Sequence, residues 1–76
     1  MARAINPAAL TMARELVGLS QSELSRRAGL HRSSVQRIEK GEHPITPETQ
    51  RKLADVLGVP LDAITIPVPE PDGVAS

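Results

Sequence analysis

Residues 18–41 read GLSQSELSRRAGLHRSSVQRIEKG, and this stretch decides the fold. It opens on a capping box, in which the Ser20 hydroxyl bonds the Glu23 amide while the Glu23 carboxylate reaches back. Gly29 ends this first helix as a left-handed C-cap would. A second helix, residues 32–40, follows after only two residues. Two short helices joined by so tight a turn must cross steeply, which leaves one face of the second helix free.

The free face of that second helix is basic and rich in hydrogen-bond donors. Val35 and Ile38 mark its buried side, and Glu39 falls on the flank of that side. The remaining positions, which carry no carboxylate, are Arg32, Ser33, Gln36, Arg37 and Lys40. In the major groove of DNA, Arg bonds guanine bidentately, Gln does likewise with adenine, and Ser accepts either partner. The pattern therefore predicts a helix that reads base edges.

The start of the first helix suits a backbone phosphate. Its unpaired amides, together with Ser20 and Gln21, form an anion site. We therefore predict two groups of DNA contacts. Phosphate contacts are assigned to Ser20, Gln21, Ser22 and Lys40, and base contacts to Arg32, Ser33, Gln36 and Arg37.

Outside this stretch, Pro and Gly delimit three further helical windows. Asn6-Pro7 opens the first helix of the chain, in which apolar residues recur at helical spacing until Gly18: Leu10, Ala13, Leu16 and Val17. Thr46-Pro47 opens a fourth helix that closes at Gly58, and a short fifth turn covers residues 61–64. The expected fold class is all-α with five short helices and no strand pair.

Three regions follow from this division of the chain. Residues 1–5 are expected to be an N-terminal arm and residues 6–65 a single helical domain. Residues 66–76, which include Pro67, Pro69 and Pro71, are expected to be a flexible proline-rich tail, since proline interrupts helices and removes strand donors.

Charge and composition narrow the function classes. The net charge is zero, yet residues 1–41 hold seven Lys/Arg against three Asp/Glu, whereas residues 42–76 hold two against six. The chain has no Cys and no aromatic residue, which excludes disulfides and aromatic base-stacking platforms. With no apolar run long enough for a membrane span, we expect a cytoplasmic, nucleoid-associated protein without a membrane partner.

The runs LSQSELSRRAGLHRSSVQRIEKG and ITPETQRKLADVLGVPLDAI resemble the Cro and phage-repressor type of helix-turn-helix, and the resemblance covers roughly residues 6–65. It implies a lambda-repressor-like domain that binds a double-stranded operator as a homodimer, with the fifth helix (Leu61 and Ile64) at the dimer interface. It also implies a phosphate contact by Gln21 and a structural ion pair between Arg14 and Glu39. Base reading is implied for Arg32, Ser33 and Arg37, often joined by Gln36.

This sequence departs from the family pattern at several places. His31 stands where Ser or Thr is preferred, so we expect it to cap the second helix of the motif weakly or in a pH-sensitive way. Ser25 replaces a usual Ala, and its hydroxyl needs a partner. Glu42 lies where a base often approaches the DNA backbone, and Pro60 replaces the usual cap of the fifth helix.

We expect a transcriptional repressor rather than an enzyme, without metal or cofactor. His31 and His43 have no ligand spacing typical of zinc, and neighbouring Ser and His on an exposed helix make no water-excluded pocket. An alternative remains open, in which the chain is an antitoxin or accessory module whose fifth helix and tail bind a protein partner. The tail itself is either a docking segment or a solubilising terminus.

Overall fold

The computed structural model describes residues 2–42 and 45–68. In chain order the elements are β1 (Ala2–Ile5), α1 (Pro7–Val17), α2 (Gln21–Arg27), α3 (Ser34–Glu39), α4 (Pro47–Leu57), a 3-10 turn (Leu61–Ala63) and β2 (Thr65–Val68). The described part of the chain is therefore mostly helical, as predicted. It has four α-helices and a small sheet instead of five helices.

The two longest helices, α1 and α4, begin and end where the sequence predicts. The side chains of Asn6 and Thr46 each accept an amide of the first helical turn at 3.2 Å, and a proline with preset φ follows each cap. Gly18 and Gly58 close the helices with φ of 85° and 71°. These left-handed conformations are open to glycine without steric cost.

The core is aliphatic throughout and lies between the helices. Leu19 and Leu24, which flank the capping box of α2, are both part of it. Its buried members are Leu10, Leu19, Leu24, Ala28, Val35, Ile38, Leu53, Ala54, Leu57 and Ile64.

The apolar spacing of α1 extends beyond its buried face. Leu10 is fully buried and Ala13 packs against the core, but Leu16 is 82% exposed. Leu16 lies six residues after Leu10, which is about 120° away around the helix. Val17 returns to the side of Leu10 but sits at the helix end, where it is 48% exposed.

Residues 2–5 of the predicted N-terminal arm and residues 66–68 of the predicted tail lie in a sheet, in which β1 and β2 pair antiparallel, from Ala2 with Val68 to Ile5 with Thr65. The expectation that there is no strand pair is therefore wrong. Met1 and residues 69–76 of the predicted arm and tail lie outside the described residues.

Side chains hold the sheet against the domain. Arg3 Nε donates to Thr65 Oγ1 at 2.7 Å, and its guanidinium lies 3.4 Å from the Asp62 carboxylate. From α4, buried Gln50 donates its side-chain amide to the Arg3 carbonyl at 3.1 Å. The Arg3 carbonyl on the outer edge of β1 is thereby bonded to α4.

Pro67 fits in β2 because of the strand register. The Asn6 amide donates to the Ile64 carbonyl at 2.8 Å, just beyond the terminal strand pair of Ile5 with Thr65. Antiparallel pairs alternate between hydrogen-bonded and non-hydrogen-bonded, so the Arg3–Pro67 pair is of the second kind. The missing proline N–H therefore faces away from β1 and costs no bond between the strands.

The predicted bounds of the third and fifth helical segments also change. Helix α3 begins at Ser34 rather than Arg32, because residues 32 and 33 form a turn closed by the bond from the Ser34 amide to the His31 carbonyl at 2.9 Å. The fifth segment is a single 3-10 turn. It stops there because Ile64 and Thr65 turn into the sheet instead of continuing the helical pattern.

No helix among the described residues is both long enough and apolar enough to cross a membrane.

Candidate nucleic-acid interface

A buried serine fixes the position of α3 on α2. Ser25 is fully buried, donates its hydroxyl to the Gln21 carbonyl at 2.9 Å, and accepts the Val35 amide at 3.0 Å. Val35 lies in the first turn of α3, where amides have no partner within the helix. The N-cap residue of α3, Ser33, makes no side-chain hydrogen bond to an amide of the helix. Ser25 therefore supplies, from the neighbouring helix, a cap that α3 lacks.

A tight turn joins the two helices. Gly29 has a φ of 75°, and the Leu30 amide donates back to the Ser25 carbonyl at 2.8 Å. Val35 and Ile38 then face the core with 0% and 1% exposure. The opposite side of α3 is left to solvent.

The exposed side of α3 and of the turn before it carries the predicted base readers. Arg32, Gln36 and Arg37 are exposed, as is Lys40 at the helix end, and Ser33 is half-buried. The only carboxylate in α3 belongs to Glu39, whose side chain is 7% exposed. The side presented to solvent is therefore cationic along its length, even though the whole chain is neutral.

Glu39 is neutralised from two other helices. Arg14 of α1 donates through Nε to Oε2 at 2.8 Å and through Nη2 to Oε1 at 3.3 Å. Gln21 of α2 donates through Nε2 to Oε1 at 2.8 Å. The structure thus brings together the ion pair that the family resemblance implies and adds a third member to it.

The pKa of Glu39 reflects this environment. Burial acts to raise the pKa of the carboxyl, but the hydrogen bonds from Arg14 and Gln21 outweigh burial, and the pKa lies below the ordinary value of 4.5. For Arg14, the hydrogen bond to Glu39 is the largest cause of a raised pKa. Both groups therefore stay charged at neutral pH, and the Arg14 guanidinium also donates to the Leu19 carbonyl at 2.9 Å.

The four residues assigned to phosphate lie in different settings. Ser20 and Ser22 are exposed at the start of α2, where Ser20 Oγ accepts the Glu23 amide at 3.0 Å in the predicted capping box. Gln21 is half-buried and uses one amide hydrogen on Glu39, which leaves its other hydrogen and its oxygen for a ligand. Lys40 is on the far end of α3.

His31 contacts the start of α3 in an unexpected way. Its Nδ1 accepts the Ser33 amide at 3.2 Å and lies 2.9 Å from the Ser33 hydroxyl. Because the ring bonds within the turn and not to an amide of the helix, it orders the turn that precedes α3.

The implied dimer interface is altered by the fold. Ile64 has 0% exposure and belongs to the core, so its side chain has no surface left for a second copy. Leu61 is half-buried against the core, and Ile66 of β2 is 45% exposed.

Two functional contacts were not predicted from the sequence. The bond from Gln21 to Glu39 had a weak signal, because a carboxylate has room for more donors than one arginine supplies. The sequence signal for the capping of α3 by Ser25 was stronger, because a buried hydroxyl where two helices meet needs hydrogen-bond partners. Among the described residues, no group of acidic, His or Cys side chains is arranged to hold a metal ion.

Comparison with known proteins agrees with this geometry. A family model for the helix-turn-helix, of the Cro/C1 type, matches residues 10–64. Among solved structures, the restriction-modification controller protein C.AhdI from Aeromonas hydrophila is 32% identical, with a TM-score of 0.72. The match covers 75% of this chain and 86% of that chain. No curated protein matches the sequence.

Proposed function

This chain is a DNA-binding transcription regulator of the Cro/C1-type helix-turn-helix family, and we propose that it represses transcription as a homodimer on an inverted-repeat operator. In this proposal α3 enters the major groove, and the protein acts by occupying DNA rather than by catalysis. The similarity to a controller protein of a restriction-modification system supports the regulatory role.

One observation carries the proposal: the solvent side of α3 is cationic, because its only carboxylate is held internally. Arg14 and Gln21 together occupy both oxygens of Glu39. A free carboxylate at this place would repel the phosphates on either side of the groove. With Glu39 neutralised, Arg32 and Arg37 can approach base edges without such a penalty.

The residues of the candidate interface divide into those that read bases and those that bind backbone phosphates. Arg37, exposed in the middle of α3, is suited to bidentate bonds with guanine, and Gln36 to adenine. Ser20, Gln21, Ser22 and Lys40 are the phosphate anchors that set the orientation of the helix. Because Gln21 also binds Glu39, a phosphate held by Gln21 is connected directly to the base-reading helix.

Selection from randomised double-stranded DNA near 0.15 M salt tests the reading role. We expect the wild type to enrich an inverted repeat with half-site centres roughly 10 base pairs apart, the spacing of successive major grooves. Arg37→Ala should lose about 1–3 kcal/mol on that site and relax one base position.

Arg51→Ala is the matched control, because it removes an equal charge from the exposed side of α4. It should leave the selected sequence unchanged. Equal losses on operator and random DNA for Arg37→Ala would refute its role as a reader. Enrichment of no sequence by the wild type would refute the operator.

We propose that Leu61 and Ile66 belong to the surface through which two copies of the chain form the dimer. Both are apolar; Leu61 begins the 3-10 turn, and Ile66 lies five positions later in β2, where it is 45% exposed. Sedimentation equilibrium should show that Ile66→Glu shifts the protein toward monomer. Leu16→Glu, at a more exposed apolar position on α1, is the control that should remain dimeric.

The alternative, a protein-interaction module, can be tested by deleting part of the predicted tail. The deletion should begin after β2 and not at residue 66, where the predicted tail begins. Removing residues 69–76 leaves β2 intact, whereas removal from residue 66 would break the sheet. A repressor that reads DNA through α3 should keep its operator affinity after this deletion. Loss of a captured protein partner with DNA binding retained would favour the alternative.

A further inference from the structure

The contact between His31 and Ser33 determines more than the shape of the turn. Nδ1 of His31 accepts the Ser33 backbone amide at 3.2 Å, and an amide nitrogen can only donate. Nδ1 therefore carries no proton in this conformation. A neutral ring then has its proton on Nε2.

The same nitrogen fixes the hydroxyl of Ser33. The Ser33 oxygen lies 2.9 Å from Nδ1, and two acceptors at that distance repel each other unless a hydrogen lies between them. The Ser33 hydroxyl must therefore donate its proton to Nδ1. Its oxygen lone pairs are left for a partner outside the protein.

This orientation removes the choice that a serine hydroxyl usually has between donating and accepting a hydrogen bond. A free serine hydroxyl donates to a base acceptor or accepts from a base donor with equal ease. Held by His31, Ser33 can only accept. In the major groove the donors are the amino groups of adenine and cytosine, whereas guanine and thymine present acceptors at the corresponding positions.

We propose that His31 is a specificity-determining positioning residue, which makes Ser33 select an amino base over a keto base at one operator position. The inference rests on the proposed function, since it requires Ser33 to face a base.

The charges around the ring do not supply a competing partner. Among the described residues no carboxylate lies within 4.0 Å of His31, which is exposed between α2 and α3. The last turn of α2 carries two cations, and Glu39 of α3 is occupied by Arg14. The charged groups on the flanking elements are Glu23, Arg26, Arg27, Arg32, Arg37, Glu39 and Lys40. The Glu23 carboxylate belongs to the capping box at the other end of α2.

The experiment is selection from randomised DNA with the full chain and its variants under one set of conditions. We expect the wild type to favour adenine or cytosine at one position of each half-site by about 2- to 10-fold, the value of one hydrogen bond.

Three variants separate positioning from mere structure. Ser33→Ala should lose the preference at that position and keep the rest of the site. His31→Ala should show a reduced preference for the amino base. His31→Asn, whose carbonyl oxygen accepts from the same two donors, should keep that preference.

The outcomes are distinct. If Ser33→Ala removes no base preference, or removes a preference for guanine or thymine, the inference is overturned and the proposed function stands. The same holds if His31→Ala selects the wild-type base with undiminished preference. If the wild type enriches no site, both are overturned. Since His31→Asn keeps the two bonds of the turn, it leaves the test intact where His31→Ala fails to fold.

Discussion

Replacing Glu39 by Gln removes one charge from the network that joins α1, α2 and α3 while keeping its shape. Oε1 can still accept from Gln21 at 2.8 Å and from Arg14 Nη2 at 3.3 Å. The new amide nitrogen then faces Arg14 Nε, which donates at 2.8 Å to Oε2 in the wild type. Two donors meet there, and one charge-assisted hydrogen bond is lost.

The expected cost follows from burial. The side chains of Arg14 and Glu39 are 12% and 7% exposed, so water replaces the lost bond poorly. A hydrogen bond to a charged group contributes about 1.5–3 kcal/mol. Against a total stability on the order of 4–11 kcal/mol for a domain of this size, that is a large fraction.

Urea unfolding followed by far-ultraviolet circular dichroism is the assay, because the chain has no Trp or Tyr for fluorescence. With a slope of about 1 kcal/mol/M for so small a domain, the midpoint should fall by about 2 M. Glu15→Gln is the matched control: its carboxylate is 4.0 Å from Arg14 but 67% exposed, so we expect less than about 0.5 kcal/mol.

Acid provides an independent test of the same bond. Because the pKa of Glu39 is lowered by folding, its carboxylate contributes stability above the ordinary value of 4.5, and that contribution is lost as the pH falls through the lower folded-state pKa. The gap between wild type and Glu39→Gln should therefore be constant from neutral pH to about pH 5 and narrow below it. Equal stability of the two proteins at pH 7, or a gap that widens in acid, would refute the reasoning.

Three further predictions concern stability. Ser25→Ala should lower the free energy of unfolding by about 1–3 kcal/mol, because it leaves a buried amide of α3 without a partner, whereas Ser22→Ala on the exposed face should have little effect in the same urea assay. Arg3→Ala should increase amide hydrogen exchange in both strands before the helices are affected, and equal protection in wild type and variant would contradict this role. Leu16→Gln should change stability by less than about 0.5 kcal/mol, while Leu10→Ala should cost about 2–5 kcal/mol.

The features predictable from sequence are those that a few neighbouring residues determine. Asn6, Ser20 and Thr46 cap helices through amides three residues away, so their patterns identify the helix starts without tertiary context. The basic side of α3 follows equally from the spacing of two apolar residues. These local signals were enough to predict the position of the candidate nucleic-acid interface.

The sheet could not be predicted in the same way. Its partners, such as Arg3 and Thr65, are 62 positions apart, and the prolines after residue 66 argue against any strand. Only the register reveals that Pro67 occupies a position where no N–H is needed. The true start of α3 was likewise hidden, because a histidine before a helix is compatible with a cap and with the turn that His31 in fact orders.

The pairing of β1 with β2 has a consequence for the order in which the chain folds. Contacts among α1 to α4 join segments that are closer in the sequence, such as Arg14 with Glu39, 25 positions apart, whereas the sheet closes a loop that includes almost the whole domain. Bringing such distant segments together carries the largest loop entropy in the molecule, and non-local pairs form slowly. During synthesis β1 emerges first but must wait for β2, so the helices are assembled before the strand that precedes them is secured.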